Sequence, residues 1–360
     1  MSENAKQPAA PVTWTEISEP QALPAEPLVS VHMITYNHGP YIAEAIEGVI
    51  AQETDFPIEL VIGEDCSTDN TRTIAQEYQR KYPHLIRLLL PNRNVGSAAN
   101  YEKVARACKG RYVAFCEGDD YWHRTDKLAL QVAYMADRPE YGAVHSDVDI
   151  IVLWCKHWWV RHSIKRSSGC PVPEGDIYKV LQMGMFIHAC SVLVRGSSLM
   201  DFFASRFRWQ SYHVLDWPLM AFISHNAKVG FLADSLAVYR VHEGSAMRAG
   251  AEAAIKRVLN ARGIYEDFVA EYGSIDTDEW SWRGNIAEHL YEAAYDARDM
   301  STFEEAVGLL TLDCSRRYSR LRVMADRVSI RNPVIHATRR FVRGLRGSLA
   351  VVRHYDLLEE

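Results

Sequence analysis

The sequence lacks any CxxC pair. Its seven cysteines, Cys66, Cys108, Cys116, Cys155, Cys170, Cys190 and Cys314, are scattered and odd in number. That excludes a zinc ribbon and a secreted disulfide framework and fits reduced thiols in a cytoplasmic protein. There is no basic start followed by an apolar core, so residues 1–27, dominated by Pro, Ala and Glu, read as a flexible lead and not as a signal peptide. No run of about 18 uncharged apolar residues exists, which excludes a spanning helix. The longest apolar run, near Met183–Val194, is short, contains His188 and reads as a buried strand or helix. A net charge of −6 argues against a nucleic-acid-coating role. Neither GxGxxG nor GxxxxGKS/T is present, so no glycine cradle is expected to hold phosphates. No repeat is visible. What is there is 360 residues, 48% hydrophobic and 24% charged, an ordinary globular mix large enough for one α/β domain and an appendage.

Short apolar strands alternate with amphipathic helices over residues 28–150. Leu28–Thr35 reads as a buried strand, followed by a turn at Asn37-His38-Gly39-Pro40 and a helix carrying Ile42, Ala45, Ile46, Val49 and Ile50. Further strands are expected at Ile58–Gly63, Leu85–Leu90, Arg111–Cys116 and Ala143–Ile151. Helices are expected from an Asp69-Asn70 cap to about Lys81, over Ala98–Cys108 and over Lys127–Ala136. This is the pattern of parallel βαβ units in a layered α/β sheet. From 151 it changes. Trp154, Trp158 and Trp159 crowd with Lys156, Arg161, Lys165 and Arg166, and mixed elements follow to about 250. Residues 251–315 form a helical extension by pattern, and 316–360 form a basic tail. Between Arg316 and Arg353 eleven arginines face one acid, Asp326; that surplus of ten leaves about −16 on the rest of the chain.

Two acidic clusters fall at adjacent strand ends, where an open parallel sheet binds its ligands. Glu64-Asp65 lies in GEDCSTDNT, and Glu117, Asp119 and Asp120 lie in CEGDDYW. Like charges at 4 Å cost on the order of 4 kcal/mol at an effective dielectric of 20, and a divalent cation is the simplest way to offset that. Gly118 is expected to let the backbone approach a ligand closely. Acidic strand ends, a metal and a diphosphate together describe a nucleotide-sugar site.

The residues resemble family 2 glycosyltransferases of the GT-A fold. The similarity runs over roughly 28–245, through VSVHMITYNHGPYIAEAI, ELVIGEDCSTDNT, NRNVGSAANYEKV, YVAFCEGDDYW, HVLDWPLMAFIS and AVYRVHEGS, in the family's order. The resemblance implies a Rossmann-like, mostly parallel sheet flanked by helices. Residues 28–150 would be the nucleotide-sugar-binding half and 151–250 the acceptor and catalytic half. It also implies Mn²⁺ or Mg²⁺ and an inverting transfer. Carried over by position, the Thr35 backbone would meet the base, and Asp65 would accept from a pyrimidine N3–H. Glu117 stands where the DxD motif has its first Asp, so the motif here is ExD. Asp119 stands at its third position and would meet the metal, with His242 completing that site. Tyr36, Asn37, Glu64, Asn94, Asn100, Gly118, Asp120 and Arg240 complete the expected donor set. Asp216 in VLDWPL would be the catalytic base, and with Pro218 after it the same residue suits a helix cap. Tyr121-Trp122 would pack beneath the metal loop.

The expected donor is a uridine or thymidine diphosphate sugar, with guanosine left open, and the acceptor a glycan or lipid-linked saccharide. Two other readings compete. A sugar nucleotidyltransferase would carry a Gly-rich, basic loop where this chain has YNHGPY. A non-catalytic binding subunit of the same fold would be expected to lose acids that are present here. The tail mixes Val334, Ile335, Phe341, Leu345 and Leu349 with arginines and is read as contacting the inner face of the plasma membrane, packing on the acidic domain or joining an oligomer; nucleic acid is not an expected partner.

Overall fold

The computed structural model describes residues 11–154, 157–161, 172–183, 186–242, 250–273, 282–312, 326–327 and 329–331. The basic stretch 316–353 lies outside them apart from residues 326–327 and 329–331, as do Lys156, Lys165 and Arg166. The chain divides into two compact units, Met1–Ser245 and Ala246–Glu360.

In the first unit the strands are β1 (Trp14–Ile17), β2 (Val29–Thr35), β3 (Ile58–Glu64), β4 (Ile86–Pro91), β5 (Tyr112–Phe115), β6 (Tyr121–Trp122), β7 (Tyr141–Trp154), β8 (His157–Arg161), β9 (Leu193–Arg195) and β10 (Lys228–Val241). They form one sheet in the order β1-β4-β3-β2-β5-β9-β7-β10-β6, with β8 on β7. β2, β3, β4 and β5 pair in parallel, as do β7 and β10. The antiparallel insertion of β9 joins the two groups, so six of the ten strands among the described residues run the same way. This is the mostly parallel sheet that the resemblance implied.

The parallel strands read as continuous apolar runs because helices cover both faces. The helix Ile42–Ile50 (α1) buries Ile42, Ala45, Ile46 and Val49 against Val29, Val31 and Met33, each buried Ile or Val contributing roughly 1.5–3 kcal/mol. Thr71–Lys81 (α2), Ser97–Ala107 (α3) and Lys127–Ala136 (α4) follow at the positions the periodicity gives. α2 is held at its start by Asp69, whose Oδ1 accepts from Thr71 N at 2.9 Å; the Asn70 side chain makes no cap bond.

Two expectations differ. The lead read as flexible contains β1, antiparallel to β4, with Glu16 bonded to Arg87. The edge of β4 offers unpaired backbone groups, and Trp14 and Ile17 provide enough cover to use them. The expected division at 150 falls inside β7, which runs on to Trp154 and pairs with β8.

At the amino ends of the central strands Arg87 is buried between Glu59 Oε2 (3.0 Å) and Glu16 Oε1 (2.9 Å). Glu59 Oε1 also accepts from Ser30 Oγ and Lys109 N. This buried ion cluster lies at the opposite strand ends from the acids of ExD.

The remaining helices of the unit are Tyr178–Met183 (α5), Gly196–Ala204 (α6) and Asp216–Asn226 (α7). The second unit contains Ala251–Tyr272 (α8), Trp282–Ala297 (α9) and Met300–Leu312 (α10). Its core gathers Ile255, Leu290, Tyr291, Tyr295 and Phe303 with Ile330.

Candidate active site

The strand order reverses between β2 and β5. From β2 the chain builds outward through β3 and β4, then returns to place β5 on β2's other side. A crevice opens at the carboxyl ends where such a reversal occurs. Thr35 ends β2 and Glu117-Gly118-Asp119-Asp120 follows β5, so both flank it. β3 is separated from β5 by β2, so the two acidic clusters are not at adjacent strand ends as expected.

The Glu64-Asp65 cluster is engaged by protein. Glu64 is buried, accepts from Ser67 N at 2.6 Å and is ion-paired to Arg72. Asp65 accepts from Val95 N (2.7 Å) with one oxygen and Gly96 N (2.9 Å) with the other, while Asn94 Nδ2 donates to its carbonyl. Burial pushes the Asp65 carboxyl up; the two amides oppose this without cancelling it. Asn37, at φ 56°, takes the left-handed turn that Asn tolerates. Its Oδ1 accepts from Thr68 N (2.8 Å), its N–H donates to Ser67 Oγ (2.9 Å), and Gly39 N donates to Asp69 Oδ2 (2.9 Å). Asn100 Nδ2 donates to Gly63 O at 2.8 Å, in a contact so close that a Cβ on Gly63 would lie 2.2 Å from Asn100 Oδ1. Asn37, Glu64, Asn94 and Asn100 therefore lock the loops after β2, β3 and β4 together. Tyr36 is exposed beside them.

The ExD acids gather differently. A Cβ on Gly118 would lie 2.5 Å from Thr35 Oγ1, so the close approach this glycine permits is to Thr35 and Ile42 rather than to a ligand. β6 pairs with β10 through Tyr121↔Val238 and Trp122↔Ala237, and this carries the end of β10 to the loop. His242 Nε2 then lies 3.2 Å from Asp119 Oδ2, and His38 Nδ1 lies 3.8 Å from Asp119 Oδ1. Burial pushes Asp119 up, but His38 and His242 outweigh it and hold the carboxyl below its ordinary range. Asp120 Oδ1 accepts from Arg240 N at 2.8 Å; burial, then Asp119 and Glu117, drive its proton affinity well up. Glu117 is pushed up to about 8 by burial, by Asp119 and by Asp216, and its Oε2 has no hydrogen-bond partner among the described residues.

Arg240 Nη1 donates to Asp119 O at 2.9 Å, its Nη2 is ion-paired to Glu44, and its guanidinium lies 4.3 Å from the Tyr121 ring. Trp122 is buried, and its Nε1 donates to Cys190 O at 2.9 Å. The like-charge cost read from the sequence is thus met by imidazoles, protonation, Arg72 and backbone amides.

Asp216 is the first residue of α7. Its Oδ1 accepts from Trp217 N at 2.8 Å, and burial pushes its carboxyl up against that bond. Its charge adds to the upward push on the Glu117, Tyr101 and Tyr239 protons.

His38, Glu44, His188 and Tyr239 also belong here and were not singled out from sequence. The sequence marks His38 only as part of the YNHGPY turn, and Tyr239 directly precedes Arg240.

No group of three or more His, Cys, Asp or Glu is arranged to hold a metal among the described residues. Asp119 and His242 would supply two donors, a carboxylate and an imidazole, to a cation such as Mn²⁺ or Mg²⁺.

Residues 30–199 match the family described as Glycosyl transferase family 2. An uncharacterized protein of Mycobacterium tuberculosis is 34% identical over 216 residues, 59% of this chain and 59% of its own length. The putative teichuronic acid biosynthesis glycosyltransferase TuaG of Bacillus subtilis is 39% identical over 113 residues, 31% of this chain and 44% of its own. The chain thus spans well under two thirds of these relatives. Among solved structures, a mannosyltransferase from Pyrobaculum calidifontis in complex with GDP-Man and Mn²⁺ is 19% identical, over 85% of this chain and 80% of that one, at a TM-score of 0.49.

Proposed function

We propose that the chain, whose residues 30–199 match the glycosyl transferase family 2 model, is a glycosyltransferase that carries out an inverting transfer from a nucleotide diphosphate sugar to a hydroxyl acceptor. The observation that supports this reading is the meeting of Asp119 and His242, 3.2 Å apart, beside the crevice between β2 and β5. Asp216, at the start of α7, adds to the upward push on the Glu117 carboxyl.

Asp216 takes the acceptor hydroxyl proton as the oxygen attacks the anomeric carbon from the face opposite the leaving group. Trp217 N holds one of its oxygens, which orients the other, and burial raises its basicity. Asp119 and His242 would hold Mn²⁺ or Mg²⁺, whose charge offsets that developing on the leaving diphosphate. Asp65 retains lone pairs beyond the Val95 and Gly96 amides and accepts from the imide of a uracil or thymine base. Thr35 and Tyr36 border the base. Arg240, tied to Glu44 and the Asp119 carbonyl, holds the metal loop in place rather than binding phosphate. The acceptor is a glycan or lipid-linked saccharide, and the basic stretch 316–353 brings the enzyme to an anionic, cytoplasmic membrane face.

The test is turnover of uridine, thymidine and guanosine diphosphate sugars by the full chain with Mn²⁺. Asp216→Asn is expected to bind nucleoside diphosphate normally and to lose about 10²–10⁴-fold in turnover. Normal turnover in that variant removes Asp216 as the base. The product's anomeric proton, read by NMR, tests inversion.

A further inference from the structure

β10 presents two faces at the crevice. Alternation along the strand turns Arg240 toward Tyr121 and Glu44 and turns Tyr239 the other way. There the Tyr239 ring lies 4.6 Å from that of His188, tilted by 32°. Tyr239 directly precedes Arg240, whose N–H donates to Asp120 Oδ1 at 2.8 Å; burial pushes the Tyr239 hydroxyl up, and Asp120, Asp119 and Asp216 add to the effect. His188 Nε2 is buried and has no hydrogen-bond partner among the described residues. Burial pushes this imidazole down to about 4, so it is neutral at physiological pH.

A buried polar atom without a partner calls for an explanation, and a ligand that supplies the partner is one. The chemistry narrows the ligand. A neutral imidazole brings no positive charge with which to hold a phosphate. It offers one donor and one acceptor nitrogen, and a hydroxyl, which both donates and accepts, pairs with either tautomer. The position narrows it further. Asp119 marks the leaving-group side and Asp216 the acceptor side, and Tyr239 is within the field of both.

We propose that His188 and Tyr239 form the wall of the subsite for the transferred sugar, with His188 Nε2 hydrogen-bonded to one hydroxyl of that sugar and the Tyr239 phenol bordering the same ring. This rests on the nucleotide-sugar reading above.

The test compares the native full chain with His188→Phe, which keeps a ring against Tyr239, and His188→Gln, which restores a polar group. The probes are uridine and thymidine diphosphate hexoses, their epimers and the deoxy analogues, read as kcat/KM, with nucleoside diphosphate affinity and Tm measured in parallel. His188→Phe should hold nucleoside diphosphate affinity within about twofold while losing about tenfold in kcat/KM on the preferred hexose, the cost of one hydroxyl contact. Its preference over the matching epimer or deoxy sugar should collapse, and His188→Gln should recover part of it. Two outcomes overturn the proposal. In one, His188→Phe keeps the native sugar preference. In the other, both variants lose nucleoside diphosphate affinity together with Tm, which marks a structural role. A folded native chain that turns over no nucleotide sugar overturns the donor reading itself, and this subsite with it.

Discussion

Asp119 and Glu117 stand two residues apart, and their protons answer to different neighbours. His38 and His242 hold Asp119 ionised, whereas Glu117, with Asp119 and Asp216 for company, holds its proton to about pH 8. The sign for stability follows. The unfolded Glu117 loses its proton near 4.5 and the folded one near 8. Between those values the folded state binds more protons, so stability is present below the window and is lost as pH rises through it. The ligand-free protein should therefore show a Tm that falls from pH 5 to pH 8, and Glu117→Gln should flatten that slope; identical slopes in calorimetry would remove Glu117 as the source. Asp119→Ala is expected to abolish transfer and any chelator-sensitive nucleotide binding, since it deletes one of the two metal donors. Full activity, or binding that ignores a chelator, would remove the metal assignment.

At the scale of elements, sheet and site occupy opposite ends of the same strands. The Glu16–Arg87–Glu59 cluster at the amino ends is far from the chemistry, yet removing Glu59 leaves the buried Arg87 with only the half-exposed Glu16 carboxylate and leaves Ser30 Oγ and Lys109 N without that acceptor. Glu59→Ala should cost about 1–3 kcal/mol, measured by urea unfolding, with donor affinity unchanged in the folded protein. A cost below about 1 kcal/mol would mean that the cluster is better solvated than its burial indicates.

The elements β2 to β5 were legible in the sequence because strands buried on both faces leave unbroken apolar runs between helices. β1 was not: only Trp14 and Ile17 of its four residues are half-buried, and the surrounding Pro and Glu mask so weak a pattern. Asp65, Asp119 and Asp216 stood out through motif. Glu44, His188 and Tyr239 did not, because their partners lie far away in sequence and only the pairing of β6, β9 and β10 brings them into one place. The locking roles of Asn37, Glu64, Asn94 and Asn100 were equally hidden, since an amide or acid in a loop looks the same whether it faces a ligand or a neighbouring turn.

For the whole molecule, the second unit fixes where the basic tail can be cut. Tyr291 donates to Asp326 Oδ2 at 2.7 Å, Tyr295 and Ser329 hydroxyls pair at 2.9 Å, and Ile330 is buried with Phe303. Stopping the chain after Leu312 would strip these contacts and confuse unfolding with lost membrane binding. A chain stopped after Arg331 keeps them while removing Arg339, Arg340, Arg343, Arg346 and Arg353. The full chain is expected to sediment with anionic vesicles at low salt and the shortened one to stay in solution, at about 1 kcal/mol per basic residue near the surface. Equal behaviour would show that the tail has no membrane role.

The two-residue pairing of β6 with β10 also sets an order of events during synthesis. Asp119 leaves the ribosome long before His242, with more than a hundred residues between them. At roughly 5–20 residues per second that interval is on the order of ten seconds. Throughout it the nascent chain carries Glu117, Asp119 and Asp120 without the His242 imidazole, the Arg240 amide or the guanidinium that later hold them. A site built this way is assembled only when β10 arrives.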